Sequence, residues 1–177
     1  GHFFDPHFKP DFNLDMLRCN NYICHIFVVK KEIQEKVGML RKEYDGAQDY
    51  DFILRCCEQA QKIRHVPKIL YHWRNHPAST AGNPESKMYA YEAGRAAVQA
   101  HYDRLGIKAK VSMTENWGRY RTELAVEGNP LISIIIPNKD HREDLERCIN
   151  SIYEKSTYRN FEIIIVENNS TNKEIFH

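Results

Sequence analysis

The chain of 177 residues carries 25 Lys plus Arg against 24 Asp plus Glu, and 42% of its residues are hydrophobic. That content supplies a real core and argues against disorder, and the balanced charge excludes a field that would draw the chain to a nucleic-acid backbone or an anionic membrane. The longest apolar runs are strand-sized, far short of the roughly 20 residues that span a bilayer, and no basic region followed by an apolar stretch opens the chain. We therefore expect a soluble, cytoplasmic protein, at most held at the inner face of a membrane. Cys19, Cys24, Cys56, Cys57 and Cys148 contain no CxxC pair, so free buried thiols are expected rather than a zinc site.

Residues 1 to 29 are aromatic and rich in Asp and Asn, and read as a loop followed by a short extended piece at Ile26-Phe27-Val28-Val29. Lys30 to Val37 forms a short helix that Gly38 stops. From Asp49 to Ile63, apolar Phe52, Ile53, Cys56, Cys57, Ala60 and Ile63 recur at steps of three and four, which predicts an amphipathic helix with Asp49 and Asp51 at its N-terminus. Carboxylates are favoured there by unpaired amides and the helix dipole, so a structural role for one of them stands beside any chemical one. A strand is expected over Lys68-Ile69-Leu70-Tyr71-His72-Trp73, then a polar loop through Pro77 and Pro84. Ser86 to Leu105 predicts a helix ended by Gly106, with Tyr89, Ala93, Ala96, Ala97 and Ala100 on one face.

Lys110 to Met113 and Tyr120 to Val126 alternate around a turn-prone Thr114-Glu115-Asn116-Trp117-Gly118, a hairpin pattern, and Gly128-Asn129-Pro130 then punctuates the chain. The last part predicts an apolar strand at Ile132 to Ile136, a helix from Arg142 to Glu154 burying Leu145, Cys148, Ile149 and Ile152, and a second apolar strand at Ile163 to Val166. Continuous β-branched runs separated by a helix argue for a parallel βαβ unit covered on both faces. Ligands of such sheets bind at the carboxyl ends of the strands. Here those ends carry Pro137-Asn138-Lys139-Asp140 and Glu167-Asn168-Asn169-Ser170-Thr171, polar clusters suited to the edge of a base and ribose hydroxyls, or to a solvated turn.

Residues 131 to 171 closely resemble the opening of family 2 glycosyltransferases, whose GT-A fold begins with a strand ending in Pro and a βα unit leading to an acidic turn followed by Ser-Thr. The resemblance implies that Pro137, Asn138 and Asp140 flank a nucleotide and that Glu167, with Asn169 in the same turn, contacts its base or ribose. The commonest form of that turn is Asp-Asp-Gly-Ser; here Glu167 has a longer reach and Asn168-Asn169 replace Asp-Gly.

Residues 8 to 104 resemble the second half of such an enzyme, including Phe8-Lys9-Pro10-Asp11-Phe12 and Asn21-Tyr22-Ile23 with His25. The stretch Gly46-Ala47-Gln48-Asp49-Tyr50-Asp51 looks like the family's Glu-Asp motif at a helix start. That match makes Asp49 the catalytic base of an inverting transfer, with Gln48 in place of the usual Glu and Asp51 in support. Tyr71 to Ser79 resembles the segment that closes over the diphosphate, so Arg74 would pair with phosphate, and His72 or His76 would approach a metal. His72 also reads as a satisfied core histidine.

In inverting transfer a carboxylate removes the proton of the acceptor hydroxyl as it attacks the anomeric carbon, and a divalent cation or basic groups stabilise the departing diphosphate. The resemblance implies Mn or Mg as that cation, a UDP- or dTDP-sugar as donor and a glycan as acceptor. No Asp-x-Asp metal motif lies in the right context; in related sequences it would fall before residue 1 and after residue 177. The catalytic segment also precedes the opening strand. The fold class expected is therefore α/β with GT-A-like elements and a partial parallel sheet flanked by helices, in a fragment running from the tail of one transferase domain into the head of another. Its expected parts are 1–106, a hairpin or linker at 107–130, and a nucleotide-binding βαβ part at 131–177. The parent would build a bacterial cell-surface polysaccharide, and the isolated chain would turn over little or not at all. A non-catalytic GT-A-like sugar-binding or assembly module is the alternative. Exposed sheet edges make self-association plausible.

Overall fold

The computed structural model describes residues 2–74 and 88–172. It divides into two compact units, Gly1–Ala125 and Val126–His177.

The first unit is mainly helical: α1 (Leu14–Cys19), α2 (Lys31–Val37), a single 3-10 turn (Lys42–Tyr44), α3 (Gln48–Gln59) and α4 (Met88–Arg104), followed by the antiparallel strands β1 (Ala109–Met113) and β2 (Tyr120–Leu124). The short α1 replaces part of the expected loop. Asn13 caps it, its side chain accepting from the Met16 amide at 2.8 Å. Six residues are too few to show a helical period, which is why the sequence pattern missed it. Helix α2 ends where Gly38 takes a positive φ of 81°, as the glycine implied.

Helix α3 stops at Gln59, short of Ile63, because Ala60 turns to extended backbone. Its inner face carries Tyr50, Ile53, Leu54 and Cys56. Leu17, Ile53 and Leu54 are at most 1% exposed, and each such side chain contributes about 1.5–3 kcal/mol by leaving water. The Tyr50 hydroxyl donates to the Leu17 carbonyl, so the one polar atom of that ring is satisfied inside the core.

Helix α4 buries Gly94, Ala97, Val98, His101 and Tyr102, a face rotated from the expected Tyr89–Ala93–Ala96–Ala97–Ala100 stripe; Tyr89 is exposed. The larger Val98 and Tyr102 win the inner face because they bury more apolar area than alanines. The hairpin belongs to this unit's core through Val111 and Tyr120. Gln99 of α4 imitates a neighbouring strand: its side chain accepts from the Val111 amide and donates to the Ala109 carbonyl, both at 3.0 Å.

The strand expected over 68–73 is absent. Residues 26–29 and 68–73 form no ladder, and the only sheets among the described residues are the pairs β1–β2 and β3–β4. Apolar β-branched runs become strands when a neighbour supplies hydrogen bonds; Val28, Ile69 and Leu70 instead stand exposed.

The second unit is a β–α–β segment: β3 (Ile132–Asn138), α5 (Arg142–Lys155) and β4 (Phe161–Glu167). The strands pair in parallel, from Ile132 opposite Phe161 to Asn138 opposite Glu167. This is the α/β arrangement expected from the two isoleucine-rich runs. Coverage differs from the expectation, because one helix covers one face: Tyr153 of α5 packs against Phe161 at 5.4 Å, whereas Ile135, Ile164 and Val166 are exposed. Leu145 is buried, Ile149 and Ile152 are half-buried, and Cys148 faces solvent rather than the core. Cys19 is likewise exposed, so only some of the thiols are interior.

Candidate functional site

In the first unit the chemistry gathers at the N-terminus of α3. Gly46 precedes it with φ 90°, a conformation open to glycine without strain, and its amide donates to the Gln48 side chain at 2.8 Å. Asp49 is the second residue of the helix and half-buried. One of its oxygens accepts from the Tyr50 amide at 2.9 Å, the other from the Asn21 side-chain amide at 3.1 Å. The same Asn21 side chain accepts from the Cys24 amide at 3.2 Å, so one residue ties the 21–25 turn to the helix start. Lys9 secures that turn from outside by donating to the Ile23 carbonyl and, at 2.6 Å, to the His25 carbonyl.

The result is a cluster of Cys24, His25 and Asp49 whose ligand atoms lie within 4.8 Å of one another. Burial and then the Asp49 carboxylate push the Cys24 thiol above its ordinary range. Mn and Mg are hard ions that take oxygen ligands, so a thiol and an imidazole beside one carboxylate do not fit the cation implied by the family resemblance. The rings of Tyr71 and Trp73 stand 5.2 and 5.4 Å from that of His25, which sets the 71–73 stretch beside this cluster.

Of the other residues singled out in this half, Arg74 is exposed, and His72 lies outside the cluster with its ring 4.3 Å from that of Phe3. His76 lies outside the described residues. Asp51, two positions from Asp49, is fully buried and does different work. It pairs with Arg55 at 2.8 Å, and Arg55 in turn donates to the carbonyls of Val37 and Met39, joining α3 to the end of α2. Asp51's other oxygen faces Arg104 at 3.6 Å. Burial pushes the thiols of Cys56 and Cys57 up to about 11 and about 12, which keeps both protonated and inert at neutral pH.

Asn21 and Cys24 are residues to which sequence reasoning gave no role at the helix start. Their one visible signal is the Asn-Tyr-Ile-Cys-His run, which says nothing of a helix start far along the chain.

In the second unit the polar ends of β3 and β4 close into one network. Asn138, 7% exposed, donates to Glu167 at 3.1 Å, and its carbonyl accepts from the Asn168 amide at 2.9 Å. Glu167 also accepts from the Ser170 hydroxyl and, at 3.2 Å, from the Ser170 amide. Asp140, at φ 57°, donates its own amide to the Ser170 hydroxyl at 2.7 Å and gathers the amides of Thr171 and Asn172 on one oxygen at 2.7 and 2.9 Å. The Ser170 hydroxyl and the Asn138 amide hold the Glu167 carboxyl below its ordinary value; the Asn172 and Thr171 amides do the same for Asp140. Both carboxylates are thus charged and oriented at neutral pH. Asn169, at φ 54°, makes the bend in the turn, and Pro137 sits opposite Val166 in the ladder. Asparagine tolerates that left-handed geometry better than most residues, which accounts for its place where glycine is commoner.

Among the described residues no helix is long and apolar enough to cross a membrane. No solved structure matches the chain. The chain is 44% identical over 169 residues to a Sinorhizobium fredii protein described as "Uncharacterized protein y4gI", covering 94% of this chain and 19% of that one. It is 38% identical over 176 residues to "O-antigen biosynthesis protein RfbC" of Myxococcus xanthus, covering 99% of this chain and 14% of that one. The chain therefore spans about a fifth and about a seventh of the length of these curated relatives, and the similarity runs through both units. The family model Glycosyl transferase family 2 matches residues 133–174. That match begins in β3 and takes in α5, β4 and the whole Asn138–Asp140–Glu167–Ser170 network, so this part of the chain carries a segment of the family 2 glycosyltransferase type.

Proposed function

We propose that the chain is part of a longer glycosyltransferase that moves a sugar from a UDP- or dTDP-sugar to a glycan acceptor, with inversion, in the synthesis of a cell-surface polysaccharide. The observation that carries this reading is the ordered acidic network at the carboxyl ends of β3 and β4, which lies in the stretch matched by the family model. Two charged carboxylates held by neighbouring amides and hydroxyls are suited to accept hydrogen bonds from a base or ribose at the edge of a parallel sheet. The name of the Myxococcus relative, an O-antigen biosynthesis protein, favours a surface polysaccharide as the product.

In this reading residues 1–106 end one GT-A-like domain, residues 107–130 form a hairpin and linker, and residues 131–177 begin a second. The coverage of the two relatives supports it, since their similarity to this chain passes through the junction. Asp49 would take the proton of the acceptor hydroxyl while that oxygen forms its bond to the anomeric carbon and the bond to the diphosphate breaks. Gln48 and Asn21 would position Asp49, and Arg74 would pair with the leaving phosphate. The Mn or Mg ion of the parent enzyme would find its ligands elsewhere than in the Cys24–His25–Asp49 cluster.

Calorimetry with UDP and dTDP on the longer parent protein tests the donor side. Nucleotide binding of which Glu167→Ala removes one site's share is expected. A parent protein that binds neither nucleotide, with Mn²⁺ or without, would overturn the transferase reading in favour of a non-catalytic sugar-binding module.

A further inference from the structure

We propose that Cys24, His25 and Asp49 form a binding site for a thiophilic divalent cation of the Zn²⁺ class, distinct from the hard cation of glycosyl transfer. The donor set is one sulfur, one imidazole nitrogen and one carboxylate oxygen, with their ligand atoms within 4.8 Å of one another. Zn²⁺ accepts all three ligand types at about 2.0–2.3 Å in tetrahedral geometry, and three protein ligands leave a fourth position for water.

The surroundings are built for it. Asn21 acts on two members at once, donating to the Asp49 carboxylate and accepting from the Cys24 amide. Partners of this kind orient metal ligands and are worth about 10–100-fold in affinity. Lys9 is the nearby opposing charge, and its ammonium is directed at the Ile23 and His25 carbonyls. With the metal bound, a thiolate and a carboxylate together outweigh that single positive charge. The thiol proton leaves to solvent as the sulfur–metal bond forms.

Occupancy has a consequence that rests on the transferase reading of Asp49. A cation on its carboxylate takes the lone pair that would otherwise accept the acceptor hydroxyl's proton, making the site an inhibitory one.

Titration of the 177-residue chain with Co²⁺, followed by Zn²⁺ competition, reads the site without any assay of transfer. One equivalent giving a thiolate-to-cobalt charge-transfer band and tetrahedral d–d bands, displaced by Zn²⁺, is the expected result. Cys24→Ser abolishes the band, Asn21→Ala weakens binding by about 10–100-fold, and Cys19→Ser with Cys148→Ser, which removes the exposed thiols, changes nothing. Circular dichroism of each variant confirms that it is folded. A chain that gives no charge-transfer band, or a band that survives Cys24→Ser, overturns the proposal. In the parent protein, Zn²⁺ inhibition relieved by Cys24→Ser is the further result expected. Failure of the transferase reading leaves the cobalt spectrum untouched, so the two ideas fail separately.

Discussion

The Asn21 side chain holds Asp49 at 3.1 Å while accepting the Cys24 amide at 3.2 Å, and so fixes the direction of a carboxylate at a helix N-terminus from a turn far away in sequence. A carboxylate on helical backbone alone keeps rotamer freedom; a second bond from outside the helix removes it. Asn21→Ala in the parent protein is expected to lower sugar transfer about tenfold, the equivalent of a lost hydrogen bond to a charged group. The first unit should keep its stability to within about 1.5 kcal/mol of the wild type. Parallel transfer assays and thermal melts check both halves of this expectation.

Asp49 and Asp51 sit two positions apart and answer to different measurements. Asp51 is fully buried against Arg55, and Asp51→Ala leaves that buried guanidinium without its carboxylate, a loss of about 3–5 kcal/mol. Asp49→Asn keeps a good helix-start residue at a half-buried position and should cost under about 1 kcal/mol. Urea denaturation of the two variants separates them.

Glu58 gives the first unit an acid-sensitive bond. Burial pushes its carboxyl up, but hydrogen bonds from His101 at 2.7 Å and from Arg104 at 2.6 Å outweigh burial and hold it below the ordinary 4.5. A depressed folded-state value means that this contribution is fully present above about pH 4.5 and is lost as pH falls through the folded value. Stability measured from about pH 6 downward should decline more steeply in the wild type than in Glu58→Gln, which should start less stable at neutral pH.

Gly94 is required by a neighbour rather than by backbone geometry. A Cβ there would lie 2.1 Å from the Tyr120 hydroxyl oxygen, whose hydrogen bond to the Tyr91 carbonyl spans 3.0 Å. Overpacking of this kind costs about 1–3 kcal/mol. Gly94→Ala should destabilise by that amount, and Tyr120→Phe in the same chain should recover part of it, a coupling that a double-mutant cycle measures.

The elements legible in the sequence were those whose signal is local. Helix α2 with its Gly38 stop, the start of α3, the hairpin around Thr114–Gly118 and the strand–helix–strand from Ile132 to Val166 each declare themselves by period or by a turn residue. The strand expected at 68–73 failed because a strand needs a partner, and that apolar run finds none among the described residues. Burial was misjudged on α4 and α5 because the inner face is chosen by what packs against it, and so Tyr89 and Cys148 face solvent.

The candidate site was legible in part for the same reason. Asp49 stands out at a helix start, and Glu167, Asn138 and Asp140 stand out at strand ends. That Cys24 and His25 meet Asp49, with Asn21 between them, depends on how the chain folds back and leaves no trace in local pattern. His72 drew notice through the resemblance of Tyr71 to Ser79 to a diphosphate-closing segment, yet its ring rests on Phe3.

The most direct test of the central claim is the rate of sugar transfer by the longer parent protein carrying Asp49→Asn, measured beside its nucleotide binding. A carboxylate acting as general base accounts for about 10²–10⁴-fold in rate, so we predict a loss in that range with UDP or dTDP binding intact. A variant that binds nucleotide and transfers sugar at the wild-type rate would contradict the account, because the base would then lie elsewhere.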